Sequence, residues 1–313
     1  MASYTVGDMI RDIRKDRGYT QEILCDQVCS VSTLSRIENS EHAPSRLIFD
    51  SLMQKLGIPT TVCSAYISKQ DMELYRLTRK ITGMISHFEF EYMADAIAEL
   101  EGKIDLKDAK QGLEKQYLLF VKAIYCRHTE DDLEKAYELL VEAIRITIPK
   151  FNEKKPFGQR KLLTYDEMDI LSAIGCNLYD RGEQLAGLKI LKSLMSYLEQ
   201  PLLDVEERAK RYPMMLYNLV KMMESILSQR KELIKFCTLG IDCCVEYGKL
   251  QVLPYLMTKK ASAIAETGDL KQAKPLYVQA ISLLQVCKQT DLAKAVRQEA
   301  EDKYHLVFRD FDD

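Results

Sequence analysis

Thr20-Gln21-Glu22-Ile23-Leu24, followed after a short gap by Ser32-Thr33-Leu34-Ser35-Arg36-Ile37-Glu38, is the stretch that decides the fold. In the second run Leu34 and Ile37 stand three apart on one face of a helix, and Ser32, Thr33, Ser35 and Arg36 fill the rest. Ser30 is placed to cap this helix over 31–39. Thr20 caps the helix before it, whose inward residues are Ile23, Leu24 and Val28. Upstream, Val6, Met9, Ile10 and Ile13 follow an i, i+3, i+4, i+7 pattern and predict an amphipathic helix that stops at Gly18. Downstream, Pro44 and Ser45 open a fourth helix carrying Ile48, Leu52 and Leu56 inward, closed by Gly57. Four short helices within residues 1–58 make one small core. The two central ones are joined by only about three residues, 28–30, which predicts a helix-turn-helix.

The third helix presents Ser32, Thr33, Ser35 and Arg36, short polar side chains with one guanidinium. Such a face fits a major groove, where Arg36 is the natural bidentate partner of a guanine edge. Ser30, Thr20 and Gln21 stand at helix starts, where backbone N–H groups favour phosphate. Arg14, with Arg11, Lys15 and Arg17, crowds the first helix and adds candidate backbone contacts. Residues 1–58 hold seven Lys+Arg against eight Asp+Glu. Affinity for double-stranded DNA must therefore come from local arrangement and from doubling in a dimer, not from a uniformly basic surface.

These two runs, with Ile13-Arg14-Lys15 before them and Leu56-Gly57-Ile58 after, resemble the XRE-type helix-turn-helix of phage-repressor-like regulators. Cys29 stands where many members have Gly, and the turn reads one residue shorter. That shortened form resembles the peptide-pheromone receptors of Gram-positive bacteria, the group named for Rap, Rgg, NprR, PlcR and PrgX. The resemblance implies a DNA-reading head fused to a peptide-sensing repeat domain.

Beyond a linker over 59–75, rich in Thr and Ser with Pro59, the pattern changes to successive helices over 76–313. Five segments share a shape: Tyr92–Ile97, Leu133–Leu140, Leu185–Leu191, Leu233–Cys237 and Gly268–Tyr277. Ala96, Ala136, Ala186 and Ala273 are the small residues expected to let helices approach. Irregular spacings of about 40 to 50 residues suit an α-solenoid of helix pairs. The last unit, with Ala261, Gly268, Ala273, Tyr277 and Ala280, is similar to a tetratricopeptide repeat. Pro213 and Pro254 are expected in first helical turns. The acidic runs at 130–132 and 204–207 are expected at helix starts. The fold class is all-α: a helix-turn-helix bundle followed by a TPR-like solenoid.

The inner wall of such a solenoid suits an extended peptide. A side-chain amide donates and accepts at once, which matches an unpaired peptide backbone. Asn177 and Asn218 stand inside strong helical segments, about 41 residues apart, each beside Leu and Tyr. In the resembled receptors Asn on inner helices grips the peptide, so the resemblance implies that role for both. Lys221, one turn after Asn218, suits a peptide carboxylate. Tyr179, Tyr217, Met214 and Tyr255 are candidates for side-chain pockets.

Composition narrows the remaining classes. The chain has 313 residues, 47% hydrophobic and 29% charged, with 13 Gly and 8 Pro, which suits a helical protein with a sizeable core. No apolar run reaches the ~20 residues of a bilayer span, and the N-terminus shows no signal-peptide pattern, so a cytoplasmic protein away from the membrane is expected. Nine scattered cysteines without a C-x-x-C point to reduced thiols. Four dispersed histidines offer no zinc set, and no nucleotide loop or nucleophile motif is present. No catalytic residue, metal or cofactor is expected. The sequence reads as a homodimeric transcription regulator controlled by a short signalling peptide, as in quorum sensing. Two alternatives stay open: an adaptor whose repeats bind a folded partner, and a thiol-based redox regulator using Cys237, Cys243 and Cys244.

Overall fold

The fold is that of a computed structural model described over residues 5–58, 69–105, 111–158, 161–200, 203–226 and 230–308. No strand occurs among these residues, only an isolated bridge between Asn152 and Lys155. The chain divides into two compact units: Met1–Leu194 with Gln200–Asp204, and Met195–Glu199 with Val205–Asp313.

The first unit opens with α1 (Val6–Asp16), α2 (Gln21–Cys25), α3 (Val31–Glu38) and α4 (Arg46–Lys55). Each has its own sequence-encoded start. Thr5 and Asp8 form a capping box on α1, and Thr20, Ser30 and Ser45 accept the first-turn N–H groups of α2, α3 and α4. Ile10, Leu24, Leu34, Ile37, Phe49, Leu52, Met53 and Leu56 bury completely or nearly so in one core. Gly57 ends α4 with φ of 64°, where a Cβ would be strained.

Two features of this head differ from expectation. Helix α2 stops at Cys25, so Val28 lies outside it, packed against the core from the connecting segment. The physical cause is Lys55: its buried ammonium donates to the carbonyls of Leu24 (3.4 Å) and Asp26 (2.5 Å), terminating the helix with a cation on its negative end. The connection to α3 is consequently 26–30 and not 28–30. Its left-handed residue is Gln27 (φ 57°), while Cys29 is half-buried against the head core.

The unit continues through α5 (Lys69–Ser86), α6 (Met93–Lys103), α7 (Gly112–Tyr125), α8 (Leu133–Thr147), α9 (Tyr165–Asp180) and most of α10 (Gln184–Leu198). The expected linker lies outside the described residues as far as 68, and from Lys69 the chain is already helical. Asp132 caps α8, as its acidic run implied. Small residues do permit close approach, with one correction. Ala96 and Ala136 are buried, but Ala186 is only half-buried, and the contact is made by its neighbour Gly187. A Cβ on Gly187 would lie 2.4 Å from the carbonyl oxygen of Gly175, so α9 and α10 touch backbone to backbone.

The second unit holds α11 (Val205–Ile226), α12 (Arg230–Glu246), α13 (Leu253–Glu266), α14 (Leu270–Val286) and α15 (Thr290–Tyr304). Consecutive helices pack in pairs, and α11 also meets α13, as α13 meets α15. This is the TPR-like arrangement. Ala261, Ala273, Tyr277 and Ala280 are all buried, and Gly268 turns the chain between α13 and α14 at φ 89°. Pro254 sits in the first turn of α13, as expected. Pro213 does not: it lies inside α11, where its missing N–H leaves the Ala209 carbonyl without its helical donor. After α15 the chain reverses at His305 (φ 54°), and Leu306 and Phe308 bury beside Tyr277 as a terminal plug. No described helix is long and apolar enough to cross a membrane.

Candidate functional site

In the head, the core claims Leu34 and Ile37 of α3 and leaves the opposite side open. Ser32 and Arg36 are exposed, Thr33 and Ser35 half-buried. Ser30 fixes the start of α3 by accepting from the Thr33 amide (3.0 Å), and its hydroxyl also meets that of Thr33 (2.8 Å). Thr20 is exposed at the start of α2 and accepts from the Ile23 amide (3.3 Å). The structure thus brings the expected helix starts and the polar face of α3 together on one small bundle.

Arg14 stands apart from that group. It is buried, and its Nε and second guanidinium nitrogen donate to the two carboxylate oxygens of Glu38 at 2.6 and 2.8 Å. A third bond reaches the Tyr19 carbonyl (2.8 Å). Its expected phosphate contact is therefore replaced by an internal one, because a bidentate carboxylate lies within reach of α1. Gln21 is half-buried and donates to the same Glu38 (2.8 Å). Arg11 donates to the Glu38 carbonyl (3.1 Å) and pairs with Asp8. Glu38 thus ties α1, α2 and α3 together. Burial alone would raise its carboxyl, but the hydrogen bonds from Arg14 and Gln21 outweigh it and hold the group below its usual range. Lys15 and Arg36 remain as the exposed cations of this bundle.

Sequence reasoning missed Gly7, where α1 crosses α3. A Cβ there would fall 2.0 Å from the Ile37 carbonyl oxygen. The only signal was a glycine in the first turn of an otherwise ordinary helix. Lys55 and Gln54 were missed as well, since their partners lie far away in sequence.

In the first unit, the repeat-helix candidates separate. Asn177 is fully buried, and its Nδ2 donates to the Leu133 carbonyl (3.1 Å) at the start of α8. It fastens two helices and is closed to solvent, which is at odds with the open, ligand-gripping amide expected from its spacing. Tyr179, two residues on, is half-buried, as are Asp166, Asp169, Ser172 and Cys176 on the partly open stripe of α9.

In the second unit they converge. Met214, Tyr217, Asn218 and Lys221 follow i, i+3, i+4, i+7 spacing and form the partly open stripe of α11, while Met215, Leu216, Leu219, Val220, Met222 and Met223 bury. Tyr217 meets Tyr255 of α13 edge-on, with ring centroids 5.5 Å apart. The Tyr255 hydroxyl donates to Gln289 (3.1 Å). Asn218 has no hydrogen-bond partner among the described residues, and Lys221 is exposed. This stripe offers an aromatic pair beside an unused amide and an ammonium one turn away.

The described cysteines are all free. Burial pushes the thiols of Cys237 and Cys244 up to about 12, and burial raises that of Cys243 too. No group of three or more His, Cys, Asp or Glu side chains converges on a metal position among the described residues.

The fold and the head define a class of chain: a helix-turn-helix domain carried on TPR-like repeats. Comparison with known proteins agrees. A family described as helix-turn-helix matches residues 10–63. No curated protein matches the chain in sequence. Among solved structures, PlcR of Bacillus thuringiensis, crystallised with the peptide PapR7 and DNA, superposes with a TM-score of 0.62 at 17% identity, over 94% of this chain and 99% of that one. Its apo form gives 0.57 at 15% identity, over 95% and 99%. The apo form of the competence regulator ComR from Streptococcus vestibularis gives 0.52 at 16%, over 95% and 97%. The chain therefore has the fold of these proteins along nearly its whole length.

Proposed function

We propose that the chain is a cytoplasmic transcription regulator that binds double-stranded DNA through α2 and α3 and is controlled by a short signalling peptide held on its repeat helices. The observation that carries the reading is the division of α3 into two faces. Its apolar residues are locked into the head by the core and the Arg14–Glu38–Gln21 network, and its polar stripe is turned outward. A rigid, short-side-chain face with one free guanidinium is what major-groove reading requires. The known DNA and peptide complex of the similarly folded PlcR supports the same reading.

For the peptide, the stripe of Met214, Tyr217, Asn218 and Lys221 with Tyr255 supplies the needed chemistry within one unit: an amide for backbone groups, an ammonium for a carboxylate, and ring and thioether walls. A homodimer would place two heads on two half-sites. Neither a catalytic step nor a cofactor enters this proposal. The raised thiols favour ligand control over thiol oxidation, since thiolate is scarce at neutral pH when burial holds the proton.

The test is selection of random-sequence duplexes on the purified chain, followed by binding of the enriched sequence to Arg36→Ala. Loss of sequence preference with residual salt-sensitive binding is expected. Equal affinity would remove Arg36 from the interface. For the ligand, thermal shift against size-fractionated culture medium should rise with a peptide fraction. Asn218→Ala should then weaken binding by about 1–3 kcal/mol.

A further inference from the structure

Helix α4 has a second face that the head's own core does not use. Phe49, Leu52, Met53 and Leu56 fill the core, while Arg46, Asp50 and Gln54 repeat every fourth residue along another stripe. That stripe meets the repeat helices of the same compact unit. Gln54 Oε1 accepts from the backbone N–H of Tyr165 (2.8 Å), 111 residues away. The Gly57 carbonyl accepts from the N–H of Asp204 (3.0 Å), the residue just before α11 begins. At the other end of the stripe Arg46, paired with Asp50 (2.8 Å), lies over the Tyr75 ring of α5 at 5.1 Å.

The Gln54 contact completes a buried helix start. Tyr165 is the first residue of α9, and the start of α9 is enclosed: Thr164 is 2% exposed, Tyr165 4% and Glu167 0%. A helix start leaves four N–H groups without helical partners. The Thr164–Glu167 capping box satisfies the amides of those two residues, and the Tyr165 amide takes its acceptor from the head. An enclosed amide without one would be costly. The head is thus part of the hydrogen bonding of α9, and the docking bonds named here come from α4 and from Gly57 just past its end, while Ser32 and Arg36 of α3 stay exposed.

We propose that the outward stripe of α4 is the coupling element between repeats and DNA: Gln54 is a positioning residue that fixes the head on α9, and a shift of α9 changes operator affinity by moving the head, not by uncovering α3. This rests on the reading of the head as a DNA-binding domain, and the experiment separates the two.

Full-length wild type, Gln54→Ala and Gln54→Glu are compared by hydrogen exchange at the Tyr165 amide and by affinity for the duplex enriched on wild type. Gln54→Ala should speed exchange at Tyr165 about fivefold or more. It should also weaken duplex binding about threefold or more, since a freed head must be ordered again on binding. Gln54→Glu keeps an acceptor at the helix start and should restore both. Unchanged exchange in Gln54→Ala overturns the contact. Faster exchange with affinity within about twofold of wild type overturns the coupling. If wild type enriches no duplex, the DNA reading falls and the coupling falls with it, while the exchange result still reports whether the contact exists.

Discussion

Replacing Glu38 by Gln removes one charge and one acceptor from the middle of the head. Its carboxylate is 2% exposed, and its oxygens accept from Arg14 Nε (2.6 Å), the second Arg14 nitrogen (2.8 Å) and Gln21 Nε2 (2.8 Å). Every donor points inward at it. A glutamine in its place must aim its own NH₂ at one of them, whichever way the amide is turned. Arg14 would remain buried without a counter-charge. Breaking a buried pair by removing one partner costs about 3–5 kcal/mol. At 1.36 kcal/mol per tenfold, that is roughly two to nearly four powers of ten in the opening of the head. Hydrogen exchange of the α1–α3 amides in the full chain measures this without assuming that the whole molecule unfolds in one step. The double replacement Arg14→Met with Glu38→Leu should recover much of the loss, because the desolvation of both charges disappears with their attraction.

The same pair sets an acid limit. Glu38 is held below its ordinary value of 4.5, so its contribution is complete above that value and is lost as pH falls through the lower, folded one. Wild-type protection should therefore decline in acid, and Glu38→Gln, already low, should show little further dependence from this site. Exchange in Glu38→Gln within about threefold of wild type would refute the argument that the network holds the three helices.

Four further outcomes follow from packing. Gly7→Ala, whose Cβ would lie 2.0 Å from the Ile37 carbonyl oxygen, should lower the melting of the head by at least the ~1–3 kcal/mol of an overpacked core. Gly83→Ala, in α5 with nothing within 4 Å of its Cβ, should instead stabilise by about 0.5–1 kcal/mol, read as slower hydrogen exchange of the α5 amides in the full chain. Lys55→Met keeps the apolar stem but abandons the carbonyls of Leu24 and Asp26, so urea titration should show a loss of about 1–3 kcal/mol despite the more hydrophobic residue. Phe308→Ala should destabilise the second unit by about 3–5 kcal/mol, read as faster exchange of α14 and α15 with α1–α4 unaffected.

What the sequence disclosed and what it withheld follow the range of the interactions involved. Helix starts were legible because Thr20, Ser30 and Ser45 act on amides three residues away. The core of the head was legible because helical periodicity selects Ile10, Leu34, Ile37 and Leu52 directly. The end of α2 was not, because Lys55 acts from 29 residues beyond Asp26. The α9–α10 contact was placed one residue early, at Ala186. Alanine is the usual small residue at such crossings, and only the crossing geometry shows that a carbonyl occupies the space where a Cβ would stand. Asn177 and Asn218 mark the sharpest limit. Both are helical amides flanked by Leu and Tyr, and spacing treats them alike. Asn177 falls among buried residues and binds Leu133, whereas Asn218 falls on the same stripe as Lys221. On α11, Met215, Leu216, Leu219 and Val220 already fill the inward arc, leaving position 218 outside it. On α9, Ile170, Leu171, Ala173, Ile174 and Leu178 bury over a wider arc that includes position 177. The extent of the apolar arc, not the identity of the amide, therefore decides which of the two is closed off and which reaches the surface.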